Sequence, residues 1–289
     1  MKVLVLGSEG MLGSDIVKSL SEKKIDVVGA DLRAKDLPVD ITDKKALFSL
    51  TIEQKPDIII LSAAYTNVDE CESKPDKAYS VNSEGAKNAA EAAKLSGAFL
   101  IFISTDYVFD GESPVPYLEN DKPSPLSIYG NSKLKGEQYI IQALDKYLII
   151  RTSWLYGKNG KNFVDTIIAK LKDGESLSIV NDQFGSPTFT IDLAEVIARL
   201  IAELRIKDKG LRILNITNSG TCSWYDFAKE IAKLSGCEEA IIEPVESEHM
   251  KLPAKRPKNS RLDSSRFEKL YGKSLPRWQD ALGRYLENR

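Results

Sequence analysis

The segment VLVLGSEGMLG, residues 3–13, joins a short apolar run to a turn that contains three glycines. The first four residues are all apolar, which predicts a strand buried on both faces inside a parallel sheet. Beyond the glycines, Ile16, Val17 and Leu20 repeat with the period of an amphipathic helix. A strand, a glycine-rich turn and a helix in this order are typical of a site that binds the pyrophosphate of a dinucleotide.

The glycine turn supplies the first candidate cofactor contacts. Gly7, Gly10 and Gly13 lack a Cβ atom, so the backbone can approach a pyrophosphate closely. Met11 and Leu12 then begin the helix, where backbone N–H groups are free to bind an anion. Because the spacing is G-x-x-G-x-x-G and the usual fingerprint is G-x-G-x-x-G, a tight turn without a ligand is the alternative interpretation.

Apolar runs recur along the first half of the chain. They predict strands at 3–6, 26–30, 57–61, 98–103 and 147–151, and helical patterns lie between them. This alternation predicts an α/β fold of the Rossmann type, with a doubly wound parallel sheet.

The pattern is less regular after residue 151. Helices are predicted near 161–172, 190–205 and 223–235, and short strands near 177–180, 211–216 and 241–245. We therefore predict a dinucleotide-binding domain at 1–151, to which later segments could return, and a smaller mixed α/β substrate-binding lobe at 152–289. Ligands commonly bind between two such lobes.

An acidic residue ends the second predicted strand. Asp31 follows the glycines by roughly 20 residues, where a carboxylate accepts hydrogen bonds from the hydroxyls of the adenosine ribose. This position favours NADH as the cofactor. Arg33 lies two residues further on and could meet the 2′-phosphate of NADPH, so both cofactors stay open.

Two further segments are candidates for holding the cofactor. Asp40 and Ile41 follow a short strand-like stretch and could flank the adenine, although Asp40 could equally cap a helix. Ala63, Ala64 and Tyr65 belong to a run that follows the third predicted strand. Small residues at this point let a cofactor pass close over the edge of the sheet.

A tyrosine and a lysine lie four residues apart in the stretch SIYGNSKLKGE, residues 127–137. On a helix, Tyr129 and Lys133 share one face, and a nearby ammonium lowers the pKa of a phenol from its usual value of roughly 10. Tyr129 could then exchange a proton with a substrate. The spacing alone is weak evidence, because Tyr225 and Lys229 repeat it in an ordinary amphipathic pattern.

The predicted sheet brings Thr105, at the end of the fourth strand, near Tyr129. Together with the glycine turn, Asp31 and Lys133, this arrangement resembles the extended short-chain dehydrogenase/reductase family. The resemblance covers essentially the whole chain. It implies a nicotinamide cofactor, with Thr105, Tyr129 and Lys133 as the catalytic residues.

Four longer motifs resemble the branch of this family that reduces 4-keto nucleotide sugars. They are STDYVFDG (104–111), RTSWLYG (151–157), DQFGSPT (182–188) and RPKNSRLD (256–263). The resemblance implies reduction of the 4-keto group of dTDP-4-dehydro-L-rhamnose to dTDP-L-rhamnose by NADPH or NADH. The family's dehydratases carry Thr-Asp-Glu at the strand end, whereas this chain has Thr105, Asp106 and Tyr107, which favours a reductase.

The same resemblance nominates substrate contacts. Their predicted positions are Thr105, Asp106, Tyr107, Trp154, Gln183, Phe184 and Arg256. Arg256 could clamp a diphosphate with two parallel hydrogen bonds. Trp154 could instead be a core aromatic residue between the lobes, and the residues after Phe184 could form only a turn.

Composition excludes several other classes of protein. The net charge is −2 over 289 residues, and the basic run near Arg256 has no interleaved aromatic residues, so we predict no nucleic-acid partner. The chain has one histidine and three cysteines, and the cysteine spacing matches neither a metal site nor a disulfide framework. We therefore predict no metal site and no disulfides. No apolar run is long enough to span a membrane. We therefore expect a cytoplasmic protein with a nucleotide-sugar substrate and a possible homodimer.

Two alternatives stay open at this point. The chain also resembles the regulatory beta subunit of methionine adenosyltransferase, a non-catalytic NADP-binding protein. It could otherwise be a reductase or epimerase of another nucleotide sugar.

Overall fold

The computed structural model describes residues 1–203 and 212–289. Within these residues the strands are β1 (Lys2–Leu6), β2 (Asp26–Ala30), β3 (Ile58–Leu61), β4 (Phe99–Thr105), β5 (Tyr147–Thr152), β6 (Leu155–Tyr156), β7 (Leu177–Val180), β8 (Phe184–Gly185), β9 (Thr188–Phe189), β10 (Ile213–Asn215), β11 (Cys222–Ser223) and β12 (Ile242–Val245).

The helices separate these strands. They are α1 (Met11–Glu22), α2 (Lys44–Gln54), α3 (Val68–Ser73), α4 (Pro75–Tyr79), α5 (Gly85–Ser96), α6 (Ile128–Ala143), α7 (Phe163–Lys172), α8 (Thr190–Ala202), α9 (Trp224–Leu234), α10 (Ser265–Tyr271) and α11 (Trp278–Glu287). A π-helical turn at Ser80–Glu84 joins α4 to α5, and a 3₁₀ turn at Asp106–Val108 follows β4.

A parallel sheet forms the centre of the molecule. Among the described residues it has six strands, in the order β10-β5-β4-β3-β1-β2. The predicted Rossmann-type fold is confirmed, and the five predicted strands are present with ends shifted by at most two residues. The order of the strands reverses direction at β1, where β2 and β3 lie on its two sides.

Both faces of the sheet are covered, which explains the unbroken apolar runs in its strands. Val3 and Val5 point to one face and pack with α1 and α8, while Leu4 and Leu6 point to the other and pack with α2 and α5. This alternation follows from the two-residue period of a strand.

The later part of the chain contributes to both halves of the molecule. The predicted strand at 211–216 is observed as β10, which pairs with β5, although residue 211 lies outside the described residues. The predicted helix at 190–205 is observed as α8 and packs on α1; residues 204–205 are not described. Phe267 of α10 belongs to the same apolar cluster.

The other elements after β5 form a smaller lobe with its own apolar core. The predicted strands at 177–180 and 241–245 are confirmed as β7 and β12, which pair with each other, and the helices at 161–172 and 223–235 as α7 and α9. α7, α9 and α11 share a core with Tyr156 and Phe189. In the part of the chain that the structure describes, no helix has the length and hydropathy needed to cross a membrane.

Candidate active site

A cleft of about 1120 Å³ lies at the carboxyl edge of the sheet, between the sheet and the smaller lobe. Open α/β sheets bind ligands at this edge, where the strand order reverses. Most of the sequence-predicted site residues line the cleft: Gly7, Gly10, Met11, Leu12, Gly13, Asp31, Arg33, Asp40, Ile41, Ala63, Ala64, Thr105, Asp106, Tyr107, Tyr129, Lys133, Trp154 and Arg256. Tyr65, Gln183 and Phe184 are not among the described residues that line it.

The glycine turn has the shape of an anion site. Gly7 has φ +90, and an added Cβ atom at this position would lie 2.5 Å from the Ala63 nitrogen. Helix α1 begins without a side-chain cap at Gly10 and has no acidic residue in its first turn. Its first N–H groups are therefore available to a negatively charged ligand. The close approach of Ala63 is enough to require a glycine at position 7. The uncapped start of α1 is the feature that indicates a bound anion.

Asp31 and Arg33 lie together over the glycine turn. The Asp31 carboxylate accepts from the backbone nitrogens of Arg33, at 2.9 Å, and Glu9, at 3.3 Å. The Arg33 guanidinium donates to the Glu9 carbonyl at 3.0 Å, and its side chain is 68% exposed. A ribose diol would meet the carboxylate and a 2′-phosphate would meet the guanidinium, so the geometry accommodates either cofactor.

Asn82 fixes the segment after β3, and sequence reasoning did not find it. Its side chain accepts from the Tyr65 nitrogen at 2.8 Å and donates to the Tyr65 carbonyl and the Ser132 hydroxyl, both at 3.0 Å. Asn82 is 1% exposed and lies in the π-helical turn, a feature often found at functional sites. It therefore joins the segment containing Ala63 and Ala64 to helix α6.

Tyr65 is not among the described residues that line the cleft, and its ring lies beneath the ammonium of Lys77, 4.5 Å from the ring centroid. The backbone nitrogen and carbonyl of Tyr65 are both hydrogen-bonded to the Asn82 side chain, which fixes this part of the segment.

Helix α6 places the tyrosine and lysine on the cleft wall. The Ser127 hydroxyl caps the helix by accepting from the Gly130 nitrogen at 3.2 Å, so Tyr129 falls in the first turn. A side chain at Gly130 would overlap the Tyr107 carbonyl, so this glycine allows α6 to approach the end of β4. The rings of Tyr107 and Tyr129 meet edge to face, with centroids 5.9 Å apart.

Lys133 is buried beneath the cleft. Its Nζ atom donates to the Ile103 carbonyl at 2.6 Å and lies 4.0 Å from the centroid of the Phe102 ring. Burial lowers the pKa of Lys133 to about 7, although the Glu137 carboxylate acts in the opposite direction. Its ammonium proton can therefore be lost near neutral pH.

The pKa of Tyr129 differs from the sequence-based expectation. Burial raises it above the usual value for a phenol, and the Thr105 hydroxyl offsets only part of the rise. Burial is the largest cause, and the Lys133 ammonium, which is directed at the Ile103 carbonyl, does not offset it. A phenol that keeps its proton at neutral pH is suited to donate it.

Behind these residues lies a buried network that sequence reasoning also missed. The Ser104 hydroxyl donates to Glu137 Oε1 at 2.5 Å, and Arg151 donates to both oxygens of Glu137, at 3.0 and 2.7 Å. Arg151 and Glu137 are 2% and 1% exposed. The network fixes α6, which carries Tyr129 and Lys133, against β4, which ends at Thr105, and against β5.

An aromatic stack forms the wall of the cleft on the side of the smaller lobe. Trp154 has φ +48, and its ring stacks on that of Trp224 with centroids 3.5 Å apart. A Cβ atom at Gly185 would overlap the Trp154 indole, so glycine is required there. Trp224 also lines the cleft and is a further site residue that the sequence did not reveal.

Arg256 lines the cleft and forms an ion pair with Asp69. Its Nη1 and Nη2 atoms donate to the two oxygens of Asp69, at 3.0 and 2.7 Å, and Nη1 also donates to the Ala254 carbonyl. The side chain is 16% exposed. A diphosphate would have to compete with Asp69 for this guanidinium.

Gln183 and Phe184 are not among the described residues that line the cleft, and Phe184 contacts the C-terminal segment. Phe184 is 42% exposed, and its backbone nitrogen donates to the Lys258 carbonyl at 2.8 Å. Gln183 is 5% exposed.

The fold and the cleft define an NAD(P)-dependent oxidoreductase of the short-chain dehydrogenase/reductase type. A family model described as the RmlD substrate binding domain matches residues 1–289. The chain therefore belongs to the RmlD family.

Three relatives illustrate this membership. The Bacillus subtilis spore coat polysaccharide biosynthesis protein SpsK is 39% identical, over 100% of this chain and 98% of the relative. A dTDP-4-dehydrorhamnose reductase structure from Clostridium acetobutylicum is 42% identical, with TM-score 0.92, and covers 100% of this chain and 99% of that one. The Bacillus anthracis dTDP-4-dehydrorhamnose reductase in complex with NADP is 38% identical, with TM-score 0.90 and the same coverage.

Proposed function

We propose that this protein reduces the 4-keto group of dTDP-4-dehydro-L-rhamnose to dTDP-L-rhamnose, with NADPH or NADH as reductant. The observation that carries the proposal is that a threonine, a proton-bearing tyrosine and a buried lysine line the same cleft as a glycine turn suited to pyrophosphate. The names of its relatives indicate the substrate.

Residues of this chain would donate the proton that the sugar oxygen receives and stabilise the negative charge that develops on that oxygen. When bound, the nicotinamide supplies the hydride. Tyr129 gives its phenolic proton to the sugar oxygen as C4 is reduced, and Thr105 donates a hydrogen bond to the same oxygen. Lys133 holds the nicotinamide ribose, and its positive charge favours the phenolate that remains after proton transfer.

The cofactor contacts follow from the shape of the cleft. The N–H groups at Met11 and Leu12 hold the pyrophosphate, and Asp31 or Arg33 meets the adenosine ribose. Asp40 and Ile41 flank the adenine. On the other side, the sugar nucleotide contacts Asp106, Tyr107 and Trp154, with Arg256 near its diphosphate.

We also propose that residues 1–151 form the dinucleotide-binding domain and 152–289 the substrate-binding lobe, with α8 and β10 returning to the first. The three cysteines are free thiols, which suits a reducing compartment such as the cytoplasm. A homodimer remains a prediction.

Replacing Arg33 with alanine should raise KM for NADPH about tenfold and leave KM for NADH almost unchanged. The variant loses roughly 1.4 kcal/mol of charge-assisted binding to a 2′-phosphate, which NADH lacks. Initial rates with each cofactor measure the effect. Lys35→Ala is the matched control, because this exposed lysine does not line the cleft. Equal changes for both cofactors would contradict the role of Arg33.

The substrate proposal is tested by incubating the protein with dTDP-4-dehydro-L-rhamnose and NADPH, then identifying the product by NMR. We expect dTDP-L-rhamnose, and only slow turnover of a UDP-linked 4-keto sugar. Tight cofactor binding without turnover of either sugar would instead favour a regulatory protein.

A further inference from the structure

Asp106 is a buried carboxyl in the cleft that the mechanism above does not use for proton chemistry. It is 2% exposed, and its Oδ1 atom accepts from the Thr105 hydroxyl at 3.0 Å. Its Oδ2 atom is buried and makes no hydrogen bond of normal geometry among the described residues, although the Ser260 hydroxyl acts on the carboxyl. A buried carboxylate with an unpaired oxygen is costly, and protonation reduces that cost.

The Thr105 hydroxyl connects this carboxyl to the catalytic tyrosine. Thr105 Oγ1 accepts from the Tyr107 nitrogen at 3.2 Å and also interacts with the Tyr129 phenol. A hydroxyl has one hydrogen to donate and two lone pairs. Thr105 can therefore give its hydrogen either to Asp106 or into the cleft, but not to both.

The charge on Asp106 decides between these two directions. When Asp106 is ionised, it takes the Thr105 hydrogen, and the remaining lone pair of Thr105 attracts the Tyr129 proton away from the substrate. When Asp106 is protonated, it donates to that lone pair, and both hydrogens are free to point at a sugar oxygen. Every lone pair and hydrogen of Thr105 is used in either arrangement.

We propose that Asp106 acts as a proton-holding positioning residue, whose protonated form turns the Thr105 hydroxyl and the Tyr129 proton toward the keto oxygen. This inference rests on the proposed reductase function. No bond to carbon changes in this step, and the Asp106 proton stays on the carboxyl while the hydroxyls rotate.

The surroundings of Asp106 agree with a carboxyl that holds its proton near neutrality. Burial raises its pKa to about 7, and the hydroxyls of Ser260 and Thr105 offset only part of this rise. The neighbouring titratable groups are Tyr107 on the same turn and Tyr129 on α6. Lys133 also lies on α6, and Arg256 reaches Tyr107 from the C-terminal segment.

The test compares the pH dependence of kcat in the wild type and in Asp106→Asn. Lys133 and Asp106 both lose a proton above about pH 7, so log kcat of the wild type should fall with a slope near −2. The Asp106→Asn side chain keeps a donor for Thr105 at every pH. The slope of log kcat in this variant should therefore be shallower, about −1, whatever its absolute rate. Equal slopes would overturn the proposal, because the proton would then belong to Lys133 alone.

A second measurement uses the resting wild-type protein without substrate. Difference infrared spectroscopy should show a protonated carboxyl band that titrates near pH 7 and is absent in Asp106→Asn. A band that disappears near the usual aspartate pKa of roughly 4 would overturn the proposal. Because no sugar is needed, this result is independent of the substrate assignment.

Discussion

Replacing Tyr129 with phenylalanine should lower kcat about 10²–10⁴-fold, the usual contribution of one positioned general acid. Phenylalanine keeps the ring that meets Tyr107 edge to face and removes only the hydroxyl. The cofactor should therefore bind with nearly wild-type affinity. Steady-state turnover and cofactor fluorescence titration, measured side by side, separate the two effects.

Tyr225→Phe is the matched control for this experiment. Tyr225 has the same spacing to a lysine as Tyr129, at Lys229, but neither residue lines the cleft. Its loss should change kcat by less than about twofold, as for most substitutions away from the chemistry. If Tyr129→Phe kept near-wild-type turnover, another group would have to be the acid.

Replacing Arg151 with methionine should cost about 3–5 kcal/mol in the free energy of unfolding. The change leaves the Glu137 carboxylate buried without its bidentate partner, although the Ser104 hydroxyl still donates to it. Denaturant unfolding measures the loss. Adding Glu137→Leu to the variant should restore much of the stability, because the buried charge is then removed as well.

The exposed pair of Lys170 and Glu175 is the control for Arg151. Its atoms are 3.0 Å apart, but both side chains are nearly half exposed. Lys170→Met should therefore cost less than about 1 kcal/mol. A similar small loss for Arg151→Met would mean that the buried network does not stabilise the fold.

Local sequence patterns were sufficient for the sheet and for the glycine turn. The apolar runs that became β1, β3, β4 and β5 are buried on both faces, so these strands do not alternate polar and apolar residues and are easy to recognise. β2 lies at the edge of the sheet and is only partly buried. β10 gave a weaker signal because it has only three residues. Its place beside β5 depends on contacts with residues far earlier in the chain.

Residues that act through distant partners were not predictable in this way. Asn82 bonds to Tyr65 and Ser132, which are 17 and 50 positions away. Arg256 pairs with Asp69 across 187 positions. No spacing rule relates such residues, since only the folded chain brings them together.

The Tyr129 pKa shows a different limit of sequence reasoning. The spacing to Lys133 indicated a lowered pKa, but burial dominates and raises it. Depth of burial and the direction of an ammonium depend on the tertiary structure, and these decide the sign of the shift.

Transfer of deuterium from the cofactor to the sugar tests the central claim most directly. The protein is supplied with dTDP-4-dehydro-L-rhamnose and with NADPH that carries deuterium at the hydride-donating carbon. If the cleft performs the proposed reduction, NMR and mass spectrometry will find one deuterium at C4 of the product sugar. A product without deuterium at C4, or no product despite bound cofactor, would contradict the account.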